Sequence, residues 1–140
     1  MTVEKILLVD DEAAFVDTMI KWMRKKGFTI YPAYSGLGAL EQLETHPEID
    51  VVILDVKMPV INGLDVLSCI KKKHPFIEVI LLSGQVTVET AMEQTQGGAF
   101  DFLMKPCDPD LLVSKIKEAA IRKRQHEKKI QEAGKGLHLN

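Results

Sequence analysis

The spacing of the apolar residues changes repeatedly along the chain, and this constrains the fold more than any other feature. Five short runs rich in apolar, β-branched or aromatic residues are typical of strands covered on both faces. They lie at residues 6–9, 29–33, 51–54, 77–82 and 100–104. Between them, apolar residues recur every three or four positions, as on one face of a helix. The alternation predicts an α/β fold in which parallel strands are joined by right-handed helical crossovers.

Five helices are predicted between and after these strands. They centre on residues 15–23, 39–43, 64–70, 88–96 and 109–130. Asp108 and Pro109 suit the N-cap and the first position of the last helix. Gly134 and Gly136 are expected to break it. We therefore predict one domain over residues 1–122, followed by an extended C-terminal helix with a tail or linker over 123–140.

Size and composition agree with one globular domain. The chain has 140 residues, of which 46% are hydrophobic and 27% charged. No apolar run approaches the roughly 20 residues that a membrane helix needs. The first five residues lead directly into a strand and do not resemble a signal peptide. Two cysteines, Cys69 and Cys107, are too few for a disulfide framework. We expect a cytoplasmic protein without membrane contact.

Charge is distributed unevenly along the chain. Residues 1–113 carry 10 basic and 17 acidic side chains, a balance of −7, whereas residues 114–131 carry 7 basic and 2 acidic ones, a balance of +5. The basic stretch contains no aromatic residues on which bases could stack. We interpret it as a solvated helix face, and we expect no direct binding of nucleic acid.

Polar residues capable of chemistry follow four of the predicted strands. Asp10, Asp11 and Glu12 follow the first strand, and Asp55 follows the third. Ser83 and Lys105 follow the fourth and fifth strands. In an open parallel sheet the carboxyl ends of the strands share one edge, where ligands bind. Carboxylate oxygens suit a hard cation such as Mg²⁺, and a lysine can pair with a phosphoryl oxygen. Asp55, on the central strand, is the plausible nucleophile because carboxylates form aspartyl phosphates.

Four segments together resemble the receiver domain of two-component response regulators. They are LVDDE at 8–12, DVKMP at 55–59 with Gly63 beyond it, SG at 83–84, and GAFDFLMKP at 98–106. The resemblance covers residues 5 to about 120. It implies a flavodoxin-like, doubly wound five-stranded parallel sheet of strand order 2-1-3-4-5 with five helices. It also implies a phosphorylation-dependent switch that catalyses only its own phosphoryl transfer and dephosphorylation.

The resemblance assigns a phospho-acceptor and a metal site. Asp55 would accept a phosphoryl group from a histidine kinase or a histidine phosphotransfer protein. Asp11 and Asp55 would ligate Mg²⁺, together with Asp10, which binds directly or through a water. The backbone carbonyl of Lys57 would be a further ligand.

The resemblance also implies how the domain signals. Lys105 would pair with the phosphoryl group, and Pro106 would follow a cis peptide bond. Ser83 would hydrogen-bond the phosphoryl group, and Phe102 occupies the position of an aromatic switch, although core packing alone would also explain it. Together they would reshape the face formed by helix 4, strand 5 and helix 5. A downstream protein target, or a second copy in a homodimer, would dock there.

Alternative functions remain open at this point. A flavodoxin-like electron carrier needs a phosphate cradle after the first strand, where this chain has carboxylates that would repel the FMN phosphate. A phosphatase of the aspartyl-phosphate type needs a carboxylate two residues after its nucleophile, where this chain has Lys57. Within the receiver interpretation, the chain is either a stand-alone receiver or the input part of a larger transcriptional regulator whose output domain is missing. Cys107 is interpreted as an ordinary thiol.

Overall fold

Five parallel strands form a single sheet in the order β2-β1-β3-β4-β5, which confirms the predicted winding. The computed structural model describes residues 3–56, 63–84 and 97–137. The strands are β1 (Lys5–Val9), β2 (Thr29–Ala33), β3 (Val51–Leu54), β4 (Glu78–Ser83) and β5 (Asp101–Met104). Every neighbouring pair is parallel. β1 and β3 therefore lie side by side at the centre, and their carboxyl ends are adjacent.

The described residues contain four helices that follow strands along the chain. They are α1 (Ala13–Lys25), α2 (Gly36–Thr45), α3 (Gly63–Lys73) and α4 (Pro109–Leu137). The predicted helix over 88–96 lies outside the described residues. The C-terminal helix, which the sequence predicted as the fifth, is therefore labelled α4. The Asp108 side chain accepts a hydrogen bond from the Asp110 N–H, as expected of an N-cap. Among the described helices, none is both long and apolar enough to cross a membrane.

The sheet separates two hydrophobic clusters, because successive residues of a strand point to opposite faces. Ile6 and Leu8 of β1 belong to the cluster that includes residues of α1 and α4. Leu7 and Val9 belong to the other, which includes residues of α2 and α3. The central strands β3 and β4 are buried along their whole length. This burial on both faces explains their continuous apolar runs and fixes the sheet edge that carries the functional residues.

The C-terminal helix differs from expectation in two respects. It continues through Gly134 and Gly136 to Leu137, since a glycine costs a helix only about 1 kcal/mol relative to alanine. Its basic stretch is not wholly solvated, because Lys123 is only 7% exposed. The Lys123 Nζ lies 3.3 Å from the carboxylate of buried Asp50, and the Arg124 guanidinium lies 2.9 Å from the same carboxylate. Ion pairs therefore bind this part of α4 to the amino-terminal end of β3.

Candidate functional site

Three aspartates meet where β1 and β3 end. Asp10 follows β1 directly and its N–H donates to the Ala33 carbonyl at 3.1 Å, while the Asp55 N–H donates to the Val9 carbonyl at 3.0 Å. Asp10 and Asp55 are 1% and 6% exposed, whereas Asp11 is exposed. One carboxylate oxygen from each of the three lies within 4.8 Å of the others. The sheet order thus concentrates three carboxylates in one small volume, as the sequence predicted.

Lys105 brings a positive charge to the same place from the far edge of the sheet. Its backbone N–H donates to the Ser83 carbonyl at 3.0 Å, which continues the pairing of β5 with β4. Its Nζ contacts the Asp10 carboxylate directly and lies 3.9 Å from a Glu12 carboxylate oxygen. The lysine side chain is 18% exposed. The Lys105–Pro106 peptide bond is cis, as the resemblance implied.

Ser83 and Phe102 lie on neighbouring strands. Ser83 is the last residue of β4 and is 2% exposed. Phe102 lies on the edge strand β5, opposite Leu81 in the strand register. It is half-buried and packs against the cluster that includes residues of α2 and α3. The structure therefore places the serine at the carboxyl edge of the sheet, with the aromatic side chain further back along the adjacent strand.

Gly63 contributes to the site in a way that the sequence did not reveal. It is the first residue of α3, and its N–H donates to the Val56 carbonyl at 2.8 Å. A β-carbon at this position would lie 2.6 Å from both the Asp55 carbonyl oxygen and the Val56 Cα. Only glycine lets α3 approach the chain at Asp55 so closely. Lys57, the expected fourth metal ligand, lies outside the described residues.

The arrangement fits a hard divalent cation. All three clustered side chains offer oxygen atoms only, which suits Mg²⁺ better than a softer metal. Two of the three are buried, so their mutual repulsion is poorly screened by water. A cation here, with the Lys105 ammonium beside Asp10, would create a region able to neutralise an incoming phosphoryl group.

The family comparison agrees with this geometry. Residues 6–117 match the family described as the response regulator receiver domain. The chain belongs to this family. The match confirms the resemblance inferred from the four sequence segments.

Individual relatives place the receiver domain in a wider context. It is 37% identical over 108 residues to the alginate biosynthesis transcriptional regulatory protein AlgB of Pseudomonas aeruginosa, covering 77% of this chain and 24% of AlgB. A receiver domain protein from Clostridium thermocellum has a TM-score of 0.83 at 34% identity, covering 88% of this chain and 98% of that one. The structure of NtrX from Brucella abortus has a TM-score of 0.82 at 29% identity, covering 91% of this chain and 29% of NtrX. The chain thus spans about a quarter of the length of AlgB.

An apolar cavity of about 340 Å³ adjoins the carboxylate cluster of the receiver domain. It lies between α1 and the start of α4, and Phe15, Lys105 and Cys107 are among its lining residues. Burial raises the pKa of the Cys107 thiol, and the nearby Asp108 carboxylate raises it further. A raised pKa lowers the thiolate fraction at neutral pH, which supports the interpretation of Cys107 as an unreactive thiol.

Proposed function

We propose that this receiver domain accepts a phosphoryl group on Asp55 from a histidine kinase or a histidine phosphotransfer protein. The observation that carries the proposal is the meeting of Asp10, Asp11 and Asp55 within 4.8 Å, with the Lys105 ammonium against Asp10. No other group of three potential metal ligands was found among the described residues. Asp55 is the acceptor because it directly follows the central strand β3. β3 lies between β1, which the other carboxylates follow, and the strands β4 and β5, which lead to Ser83 and Lys105.

The transfer joins Asp55 to phosphorus. An oxygen of the Asp55 carboxylate forms a bond to the phosphorus as the bond from phosphorus to the donor histidine nitrogen breaks, and that nitrogen retains the electron pair. Mg²⁺ held by Asp10, Asp11 and Asp55, with the Lys57 carbonyl as a further ligand, would supply positive charge to the phosphoryl oxygens. Lys105 pairs with a phosphoryl oxygen, and the low exposure of the site strengthens that attraction. The domain catalyses no reaction beyond this transfer and its own dephosphorylation.

The switch connects Ser83 with Phe102. The Ser83 hydroxyl turns toward the new phosphoryl group, and Phe102 moves inward into the space behind β4. Phe102 is half-buried and packs against the cluster that includes residues of α2 and α3, so an inward movement of the ring can increase its burial. A phenylalanine has no hydroxyl, so the switch depends on packing rather than on a phenolic hydrogen bond. The face formed by the helix predicted over 88–96, β5 and α4 changes with it.

The signal passes from that face to a partner. A downstream protein or a second copy of the domain docks there, and the equilibrium shifts only as far as the phosphoryl group favours one state. The receiver is the input part of a longer transcriptional regulator, which is supported by the much greater length of AlgB. A stand-alone signalling protein is the alternative. In both cases the protein acts in the cytoplasm, and this segment itself does not bind nucleic acid.

Phosphorylation with a small-molecule donor tests the acceptor. Incubation with acetyl phosphate and Mg²⁺ should add one phosphoryl mass to the wild-type chain, and Asp55→Asn should abolish most of it. Asp17→Asn is the matched control, since it removes an exposed aspartate from α1 and should label normally. Equal labelling of Asp55→Asn and the wild type would refute the assignment.

Spectral changes with beryllofluoride, a phosphoryl mimic, test the switch. Wild-type NMR shifts should extend from Asp55 to residues 84–104. In Ser83→Ala the mimic should still bind, but shifts in 84–104 should be small. Phe102→Tyr should respond like the wild type. Shifts confined to the neighbourhood of Asp55 in the wild type would show that the domain does not signal through this face.

A further inference from the structure

The ring of Phe15 lies beside the ammonium group of Lys105, which also contacts the Asp10 carboxylate. The Lys105 Nζ lies 4.2 Å from the centroid of the Phe15 ring. Phe15 is on α1, half-buried, and packs against the hydrophobic cluster that includes residues of α1 and α4. It also lines the apolar cavity beside the lysine. The same ammonium therefore contacts both an aromatic ring and the Asp10 carboxylate.

Two properties favour this contact. The negative face of an aromatic ring attracts a cation within about 6 Å, and the attraction grows when the cation is removed from water. The Lys105 side chain is only 18% exposed. Phe15 packs against the hydrophobic cluster, so its ring is more restricted than the lysine side chain. The contact thus restricts a long side chain that would otherwise sample many rotamers.

The ring matters most when a cation occupies the carboxylate cluster. Asp10 is the close carboxylate partner of Lys105 and also one of the three clustered metal-ligand candidates. A divalent cation bound to Asp10 would offset the negative charge that now attracts the ammonium. The ring of Phe15 carries no charge and binds no metal, so its attraction for the lysine would remain.

We propose that Phe15 is a positioning residue that keeps the Lys105 ammonium at the site of phosphoryl transfer through a cation–π contact. The proposal rests on the function proposed above, in which Lys105 pairs with the phosphoryl group. It assigns to Phe15 a role that its apolar character alone does not provide. A simple core residue would act by volume, whereas a positioning ring acts through its electron density.

Fluorination separates volume from electron density. Site-specific replacement of Phe15 by mono-, di- and trifluorophenylalanine withdraws electrons from the ring face with little change in its size. Affinity for beryllofluoride in the presence of Mg²⁺ should fall with each added fluorine, reaching about fivefold for the trifluoro ring, the loss expected for a partly buried cation–π contact. The rate of phosphorylation by acetyl phosphate should fall in parallel. Phe15→Trp should retain the affinity, and Phe15→Leu should lose it.

Phe28 provides the matched control. It is 5% exposed and belongs to the same hydrophobic cluster as the residues that Phe15 contacts. The same fluorinated series at Phe28 should leave beryllofluoride affinity unchanged. The proposal would be overturned if beryllofluoride affinity did not change with the number of fluorine atoms on Phe15, or if it fell equally when Phe28 was fluorinated.

A second readout needs neither metal nor phosphoryl group. In urea unfolding with EDTA, Phe15→Leu should lower the unfolding midpoint more in the wild-type background than in a Lys105→Met background. Lys105→Met has already removed the ammonium group, so loss of the Phe15 ring costs no cation–π contact there. Equal effects in both backgrounds would contradict the contact. Lys105→Met also tests the proposed function separately. If Lys105→Met binds beryllofluoride as tightly as the wild type, Lys105 does not take part in the site and the proposed function of Lys105 is wrong. If Lys105→Met loses affinity but fluorination of Phe15 leaves the affinity unchanged, only the role proposed for Phe15 is wrong.

Discussion

Replacing Asp11 by asparagine should stabilise the metal-free domain, although it damages the site. The carboxylate oxygens of Asp10, Asp11 and Asp55 lie within 4.8 Å of one another. At that separation two unit charges repel by about 3.5 kcal/mol at an effective dielectric constant of 20 and by about 1 kcal/mol in water. Asp11 is exposed, so the repulsion that its replacement removes lies between these two limits. Lys105 already offsets part of the repulsion at Asp10. We expect Asp11→Asn to raise the free energy of unfolding by about 1–3 kcal/mol without metal.

Magnesium should remove or reverse this difference in stability. A ligand that binds only the folded state stabilises it by about 2.7 kcal/mol at 100 times its dissociation constant. The wild type should gain this amount on addition of Mg²⁺. Asp11→Asn lacks one charged ligand of the proposed site and should gain little. The wild type is then expected to be as stable as the variant or more stable in saturating Mg²⁺, and less stable in EDTA.

Urea unfolding followed by circular dichroism measures both states. The wild type, Asp11→Asn and Glu41→Gln are unfolded in EDTA and again in saturating Mg²⁺. Glu41→Gln removes an exposed carboxylate from α2, outside the cluster, and should behave like the wild type. A wild-type midpoint that does not respond to Mg²⁺, or an Asp11→Asn variant that is less stable than the wild type in EDTA, would refute the reasoning.

Three further predictions concern other parts of the structure. Asp50→Ala removes the carboxylate that pairs with Lys123 and Arg124 and accepts from the Lys5 N–H, although Lys123 keeps Glu127 at 2.9 Å. Urea unfolding should therefore show a loss of about 2–3 kcal/mol. Gly63→Ala places a β-carbon 2.6 Å from the Asp55 carbonyl oxygen; it should cost about 1–3 kcal/mol and slow phosphorylation, whereas equal stability to the wild type would show that α3 shifts freely. Burial raises the pKa of Cys107, so a thiol reagent at pH 8 should label exposed Cys69 first. Labelling of Cys107 should accelerate as the pH rises above 9, and faster labelling of Cys107 at pH 8 would contradict this.

The order of elements and the location of the site could be predicted from the sequence. Continuous apolar runs mark strands buried on both faces, and the helical spacing between them requires parallel crossovers. Once the strands are parallel, residues just beyond their carboxyl ends share one edge, whatever their side chains. The grouping of Asp10, Asp55 and Lys105 therefore follows from their positions along the chain. The strand order itself came from the resemblance, since an apolar pattern alone does not specify which strands are neighbours.

Only the tertiary structure decided which individual groups touch. Lys105 and Asp10 are 95 positions apart, and Arg124 and Asp50 are 74 apart. A charged residue beyond the apolar stripe of a helix looks solvated in the sequence, because nothing nearby along the chain shows that a buried carboxylate lies against it. The ring of Phe15 likewise reads as an ordinary core position on α1. Its contact with Lys105 exists because the sheet order and the packing of α1 bring the two together. Local spacing determines which face of an element is apolar, whereas contacts between distant elements depend on how those faces pack.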